Sequence, residues 1–555
     1  MAALLRTGKC EAINRSQALD ILGKINIVNT DDVRGYVNLP ELVDEVGISW
    51  TSSKPNIVSD QPEGKIAPGT VRRPPPKSQP TDVTLTACAN TTGGEACRDF
   101  RLIVQPSVEL AETSRYGMAN FARSNSHQGQ QIYMASSVGN DATTWIAVND
   151  GKAVLNSTKG MHAVRDPSIV RSPEGDKFFL VATDLNVDGV DYGWINWDWA
   201  QTNASRYIEV WESTDLRTWS EQRHILVAPA TAGMTFAPEV VWDAEIGAYV
   251  VYWTSSVYPE GTYYTPNATD PNRRYPLTRN QILYTTTRDF VHFTPAEIMS
   301  GRPGHGALDA VIIRDETDGM YHRIVADRIS TGNATQYVPC GGEDIYQERA
   351  KSILAPADEW ELVAGCITHD TMNTTYAEAP LIAQANPGDP RGKGYYMYVD
   401  QKWPESPAGQ PLEEQLHPYW TDNLSSGKWE PIDWTRKPEY DYAQGVLRHG
   451  CIVALTTAEH AAWRGADLMS LRITESPSKT RYRLGEPLDT DGLVLEASYT
   501  DGVVDRDITE GYGGYTLEGF DSETPGTKTV TVSYTVMNAT KTASFEVKIK
   551  RKCSP

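Results

Sequence analysis

The feature that most constrains this chain is a hairpin grammar that occurs three times. Arg165-Asp166-Pro167-Ser168-Ile169-Val170 leads through a Pro173-Glu174-Gly175-Asp176 turn into Phe178-Phe179-Leu180-Val181-Ala182-Thr183-Asp184. Leu308-Asp309-Ala310-Val311-Ile312-Ile313 leads through Asp318-Gly319 into Tyr321-His322-Arg323-Ile324-Val325. Ala377-Glu378-Ala379-Pro380-Leu381-Ile382 leads through Gly392-Lys393-Gly394 into Tyr395-Tyr396-Met397-Tyr398-Val399. Short β-branched and aromatic runs bounded by Gly, Pro and Asp turns read as strands. Each hairpin is expected to present one carboxylate at the same place, the start of its first strand.

Further strand-sized segments fill residues 112–460: Gln131–Ser136 with Trp145–Val148, Tyr207–Ser213, Phe236–Trp242 with Tyr249–Trp253, Gln281–Tyr284 and Ile452–Ala454. Two units end alike, in Ser213-Thr214-Asp215-Leu216-Arg217-Thr218-Trp219 and Thr287-Arg288-Asp289-Phe290-Val291-His292-Phe293. Radial repetition with five members predicts an all-β chain whose middle is a five-bladed β-propeller, with the first strand of each blade lining a central funnel. Asp166, Asp309 and Glu378 would then converge despite their separation in sequence. Residues 1–108 and 469–550 alternate in strand fashion at turn spacing and are expected to be two small β-sandwiches, the second reached through a linker at 461–468.

A chain of 555 residues is too long for one core and divides naturally into such units. Its formal charge of -21, with 72 acidic against 51 basic residues, argues against nucleic acid or an anionic membrane as partner. No run reaches transmembrane length, and the start at Met1-Ala2-Ala3-Leu4-Leu5-Arg6 turns polar too soon for a secretory signal. Neutral ligands remain open. An extracellular location is suggested by glycosylation acceptors at Asn14, Asn90, Asn156, Asn203, Asn267, Asn333, Asn373, Asn423 and Asn538. Cys88 and Cys97 flank a turn between strands and are expected to form a disulfide; Cys340 and Cys366 can form another, while Cys10, Cys451 and Cys553 are unassigned. The sequence contains no Cys-X-X-Cys pair and no His/Cys metal cluster.

Several motifs resemble known families. Ile48, Trp50, Thr51-Ser52-Ser53 and Leu85-Thr86-Ala87 resemble a degenerate bacterial immunoglobulin-like domain, and Leu488-Asp489-Thr490-Asp491-Gly492-Leu493 resembles a bacterial immunoglobulin-like module. Both imply packing or spacing roles. Arg165-Asp166-Pro167-Ser168-Ile169, Leu308-Asp309-Ala310-Val311-Ile312 and Glu378-Ala379-Pro380-Leu381-Ile382 are similar to the three carboxylate motifs of glycoside hydrolase family 43, five-bladed propellers that hydrolyse furanosides and xylosides with inversion. The resemblance implies Asp166 as base, Asp309 as the residue that orients and tunes the pair, and Glu378 as acid. Ala310, Ala379 and Phe236 depart from the family's usual proline, glycine and tryptophan. Arg448-His449-Gly450 resembles a channel segment of the family; it implies that His449 faces the channel and helps hold a structural calcium, through water, while the chemistry itself needs no cofactor.

Inverting hydrolysis requires an ionised carboxylate to activate water and a protonated one to serve the leaving oxygen, about 6.5–9.5 Å apart. Like charge from Asp309 and partial burial would keep the proton on Glu378. Glu239 in Phe236-Ala237-Pro238-Glu239 is the rival acid, or a sugar-hydroxyl acceptor on the funnel wall. Arg165, Trp194, Trp197, Trp199 and Trp403 are candidate sugar contacts, although interblade packing would also call for tryptophan. The expectation is an exo-acting α-L-arabinofuranosidase on neutral polysaccharide. Alternatives are a β-D-galactofuranosidase, a β-xylosidase and a glycan-binding propeller without turnover.

Overall fold

The protein is described from a computed structural model, which describes residues 13–123, 130–187, 197–262, 273, 280–300, 306–327, 337–341, 343–374, 376–402, 415–441 and 446–551. It is all-β, with 8% helix and 47% strand. Between Arg115 and Leu455 lie five four-stranded antiparallel sheets. Four follow chain order and begin with Val164–Arg171, Phe236–Asp243, Leu308–Arg314 and Tyr376–Gln384. The fifth joins the two ends of the region: its first strand is the late Val446–Leu455, paired with Arg115–Arg123 and followed by Tyr133–Ser137 and Trp145–Ala147. The five leading strands pack cyclically, each against the next and the last against the first. Their outer neighbours supply the apolar layers between sheets, such as Phe179 of the sheet led by Val164–Arg171 against Tyr249 and Trp253 of the sheet led by Phe236–Asp243.

The segments that end alike in sequence are matching turns. Asp215 accepts the backbone N–H groups of Arg217 and Thr218 at 2.9 and 2.7 Å, and Asp289 those of Val291 and His292 at 2.9 and 2.8 Å. Leu216 and Phe290, equivalent in the two turns, both have positive φ.

The first unit differs from expectation. Its strands Leu42–Val43, Val46–Ser52, Thr81–Thr91 and Gly94–Val104 form one sheet. In place of a second sheet, the helix Arg15–Gly23 and long loops cover it among the described residues, burying Ala18 and Leu22 against Leu85, Ala87 and Leu102. A capping box between Asn14 and Gln17 starts that helix. The last unit is a two-sheet sandwich, three strands facing four, with Tyr482, Leu495, Tyr499, Val530 and Val532 in its core. Both expected disulfides are present, Cys88–Cys97 across a hairpin and Cys340–Cys366, whereas Cys451 is free and buried. Cys10 and Cys553 lie outside the described residues.

Both flanking units are bonded to the middle one. The expected linker at 461–468 begins inside the helix Thr457–Trp463, all of which is buried, with Ala458 and Ala461 in the core of the last unit and the indole of Trp463 in that of the middle one. Arg115 pairs with Asp505 at 2.6 Å and Asp507 at 2.5 Å. On the other side, the fully buried Asp176 in the turn of the Asp166 hairpin receives Arg34 at 2.9 Å and Arg73 at 2.7 Å from the first unit. Removing one partner of a buried ion pair leaves uncompensated charge. Asp176→Ala is therefore expected to destabilise the protein by about 3–5 kcal/mol in urea unfolding, with the first unit's signals lost together with those of the middle.

Candidate active site

The local geometry of the leading strands explains how polar residues reach the centre of the ring. Every one carries a three-on-two bulge: between Arg165 and Ser168, Phe236 and Glu239, Leu308 and Val311, Glu378 and Leu381, and Leu447 and Gly450. At four of them the second residue adopts positive φ: Asp166 (49°), Ala237 (46°), Asp309 (51°) and Ala379 (56°). The left-handed region is costly for residues with a Cβ and is tolerated better by Asp. Bulges with such strain re-aim side chains and cluster at functional sites.

This register corrects the expectation of three equivalent carboxylates. Asp166 and Asp309 share one position, but Glu378 stands one residue earlier, level with Arg165 and Leu308, and Glu239 one residue beyond Pro238, level with Ser168. The Glu-Ala-Pro order places Ala379, not Glu378, at the left-handed residue. A one-residue offset within a bulge changes which way a side chain leaves the strand.

Asp166 is the most tightly organised of the acids. Its Oδ2 accepts the Thr183 hydroxyl at 2.8 Å, and its Oδ1 lies 3.4 Å from His449 Nδ1. Burial alone would raise its pKa, but the close approach and charge of His449, with Arg165 and Thr183, bring it below the ordinary aspartate value. Burial opposes charge on His449 too. The close approach of Asp166 and the charges of Asp166, Asp309 and Glu239 prevail and push His449 up to about 9. The centre therefore holds an aspartate and an imidazolium at neutral pH.

Glu239 is buried beside them, its Oε2 accepting the Ser168 hydroxyl at 2.6 Å. Burial lifts its pKa to about 7, assisted by the charge of Asp166 and resisted by His449. Glu378 keeps 15% of its side chain exposed. Arg448 donates to Glu378 Oε1 at 2.8 Å and, through Nε, to the buried Asp400 at 2.6 Å, so one guanidinium serves two carboxylates. The Tyr376 hydroxyl donates to Glu378 Oε2. Asp309 is buried, and its backbone N–H donates to Thr254 Oγ1 at 2.8 Å. Thr183, Thr254, Tyr376, Asp400 and Arg448 were not foreseen as site residues. The antiparallel pairing of Glu378 with Asp400 across the Gly392–Gly394 turn was the available signal.

Arg165 lies with its guanidinium 4.5 Å from the Phe121 ring centre and 5.8 Å from that of Trp197. Trp197 is 42% exposed, whereas Trp199 packs in an apolar cluster with Leu185, Met234 and Phe236. The even choice between sugar contact and packing thus divides: Trp197 is available to a ligand and Trp199 serves packing. Trp194 and Trp403 lie outside the described residues. So do Asn267 and Asn333; Asn14, Asn90, Asn156, Asn373, Asn423 and Asn538 are exposed, while Asn203 is half-buried with its Oδ1 enclosed.

His449 belongs to none of the four His/Cys/Asp/Glu groups whose ligand atoms lie within 4.8 Å of one another among the described residues; a calcium held through water, as the family resemblance implies, would take its oxygen ligands outside those groups. Two clefts lie elsewhere. One of about 50 Å³, lined by Tyr36, Glu174, Trp242 and Arg288, is at the turn end of the Asp166 hairpin. The other, of about 450 Å³, is lined by Leu488, Glu510, Glu518 and Phe520 in the last unit.

Comparison with known proteins identifies the family of the middle unit. A family described as "Probable glycosyl hydrolase domain", related to glycoside hydrolase family 43, matches residues 112–461. An "Atrophied bacterial Ig domain" matches 15–107, and a "Bacterial Ig-like domain (group 3)" matches 476–549. The chain belongs to the family 43-related glycoside hydrolases. An α-L-arabinofuranosidase of Bifidobacterium longum is 34% identical over 285 residues, 50% of this chain and 25% of that protein. Pectate lyase L of Thermoclostridium stercorarium is 41% identical over 88 residues, 16% of this chain and 6% of that protein. The chain thus spans a quarter or less of the length of these relatives. Among solved structures, a family 43 β-1,3-galactosidase is 13% identical with a TM-score of 0.34, covering 60% of this chain and 96% of the other. Among the described residues no helix is long and apolar enough to cross a membrane.

The raised pKa of Glu239 has a measurable consequence. A carboxyl at about 7 in the folded state and about 4.3 unfolded binds more protons when folded, so it makes stability fall as pH rises through that window. Glu239→Gln is expected to flatten the decline between pH 4.5 and 7 by up to about 3 kcal/mol, as measured by urea unfolding at a series of pH values. An unchanged pH profile would show that Glu239 is ionised in the native protein.

Proposed function

We propose that the five sheets are the blades of a propeller and that the protein is an extracellular, exo-acting α-L-arabinofuranosidase working with inversion on plant or microbial polysaccharide. The observation that carries the substrate is the 34% identity to an α-L-arabinofuranosidase over half of the chain. The disulfides support the extracellular setting.

In this reading Asp166 is the base. Thr183 fixes one oxygen and His449 keeps the carboxylate ionised, so the other oxygen can take a proton from water as that water attacks the anomeric carbon. Asp309 tunes the pair from the equivalent position two sheets away. Glu378 gives its proton to the departing glycosidic oxygen; Tyr376 and Arg448 orient it, and Asp400 draws off part of the arginine's charge. Its exposed edge permits contact with substrate. A second reading makes Glu239 the acid, since its raised pKa keeps a proton near neutrality.

Turnover of aryl α-L-arabinofuranoside, with little on the β-D-galactofuranoside and β-D-xyloside, is the expected outcome of a three-substrate screen. Asp166→Asn should reduce kcat by at least about 10²–10⁴-fold while substrate affinity persists; wild-type kcat would end its assignment as base. Proton NMR of the first product should show the β-anomer, because water enters opposite the leaving group.

The two glutamates separate by leaving group. Glu378→Gln should cripple hydrolysis of a natural glycoside but spare much of the rate on an aryl glycoside, whose phenolate departs without full protonation. Glu239→Gln should affect both substrates alike. The reverse pattern would transfer the acid role to Glu239.

A further inference from the structure

Trp197, the exposed indole beside Arg165, is carried by the seven-residue helix Trp197–Asn203. A helix this short has little stability of its own, and its last four carbonyls lack partners within it. Two of them are met from another element. Arg273, in the connection between strands Ala248–Ser256 and Asn280–Thr287, donates Nε to Thr202 O at 2.8 Å, and the Tyr258 hydroxyl donates to Gln201 O at 3.1 Å.

Arg273 does more than cap the helix. Its Nη1 donates to Ala230 O at 3.2 Å and Thr262 O at 3.0 Å, and its Nη2 to Ala232 O, while its guanidinium lies 4.8 Å from the Tyr258 ring centre. A buried cation thus ties together the helix, the segment entering strand Phe236–Asp243 and the segment leaving strand Ala248–Ser256. The helix end also approaches Gly233 so closely that a Cβ there would stand 2.1 Å from Gln201 O. The planar five-donor fork of arginine suits such divergent acceptors; the ammonium of lysine does not reproduce it.

We propose that Arg273 is a positioning residue for substrate: by holding the C-terminal end of Trp197–Asn203 it fixes Trp197 as a stacking platform for a sugar next to Asp166. This rests on the glycosidase reading of the site. Arg273 touches neither substrate nor the reacting atoms, so its loss should act on binding through Trp197 and leave the chemical step intact.

The test is a double-mutant cycle with Arg273→Ala, Trp197→Ala and the double variant, on whichever aryl furanoside or xyloside the wild type cleaves. Each single variant is expected to raise KM about fivefold to tenfold, and the double variant should match Trp197→Ala within about twofold, because both remove one platform. For Arg273→Ala, kcat should stay within about twofold of wild type. Arg273→Lys should recover part of the KM defect, and it carries the comparison if Arg273→Ala does not fold. Independent effects whose KM factors multiply, or a folded Arg273→Ala with wild-type KM, would overturn the proposal. Hydrogen exchange supplies a readout that needs no substrate: amides of Trp197–Asn203 should exchange at least tenfold faster in Arg273→Ala, and unchanged exchange would also overturn it. Failure of the glycosidase reading would appear separately, as a wild type that cleaves none of the substrates.

Discussion

The centre of this protein depends on one interaction repeated from sheet to sheet: the bulge backbone of one leading strand is tied to a side chain of the preceding sheet. Thr183 accepts the N–H of Ala237 at 2.8 Å, Thr254 that of Asp309 at 2.8 Å, and Asp400 that of His449 at 3.3 Å. Thr183, Thr254 and Asp400 are equivalent, since they pair with Arg165, Phe236 and Glu378 just before each bulge. A buried N–H without an acceptor costs about 1–3 kcal/mol. At Ala237 and Asp309 these acceptors help the left-handed residue to persist, and at Asp309 they help hold the aim of its carboxylate. Thr183 serves both purposes at once, as its own hydroxyl proton goes to Asp166.

The same ring concentrates acid where water is scarce. Asp166, Asp309 and Glu239 face His449, and Glu378 and Asp400 face Arg448, which is nine-tenths or more buried. Burial above all, assisted by the charge of Asp166 and opposed by that of His449, lifts the pKa of Glu239 to about 7. Asp166 stays ionised because it has the imidazolium as a direct neighbour; Glu239 has a serine hydroxyl instead. Adjacent acids thus acquire different protonation states from their hydrogen-bond partners. Glu378 shares the guanidinium of Arg448 with Asp400.

Much of this was legible in the sequence. Strand alternation and turn residues located the hairpins, the matching Asp215 and Asp289 turns exposed the repeat, and cysteine spacing across a turn gave Cys88–Cys97. The register within the bulges was not legible. Asp-Pro, Asp-Ala and Glu-Ala-Pro look interchangeable as text, and only backbone pairing shows that Ala379 stands where Asp166 does. The helix and loops that cover the first unit's one sheet among the described residues were hidden for a related reason: alternation reveals a strand but not what covers its face. Trp197 and Trp199, two residues apart on one helix, have opposite fates that composition alone cannot separate.

The flanking units enter the argument through the Asp166 hairpin. Its bulge holds the proposed base, and its far turn is gripped by Arg34 and Arg73 of the first unit at Asp176. Between these points Arg171 forms a two-bond pair with Glu459, at 2.5 and 2.8 Å, in the buried helix that leads to the last unit. Tyr512 of that unit extends the contact by pairing with Leu110. Buried arginine–carboxylate pairs add little net stability relative to apolar packing, but they punish misalignment severely. Their placement along a single hairpin means that both immunoglobulin-like units constrain the strand carrying Asp166. They are thereby parts of the scaffold that holds the Asp166 hairpin.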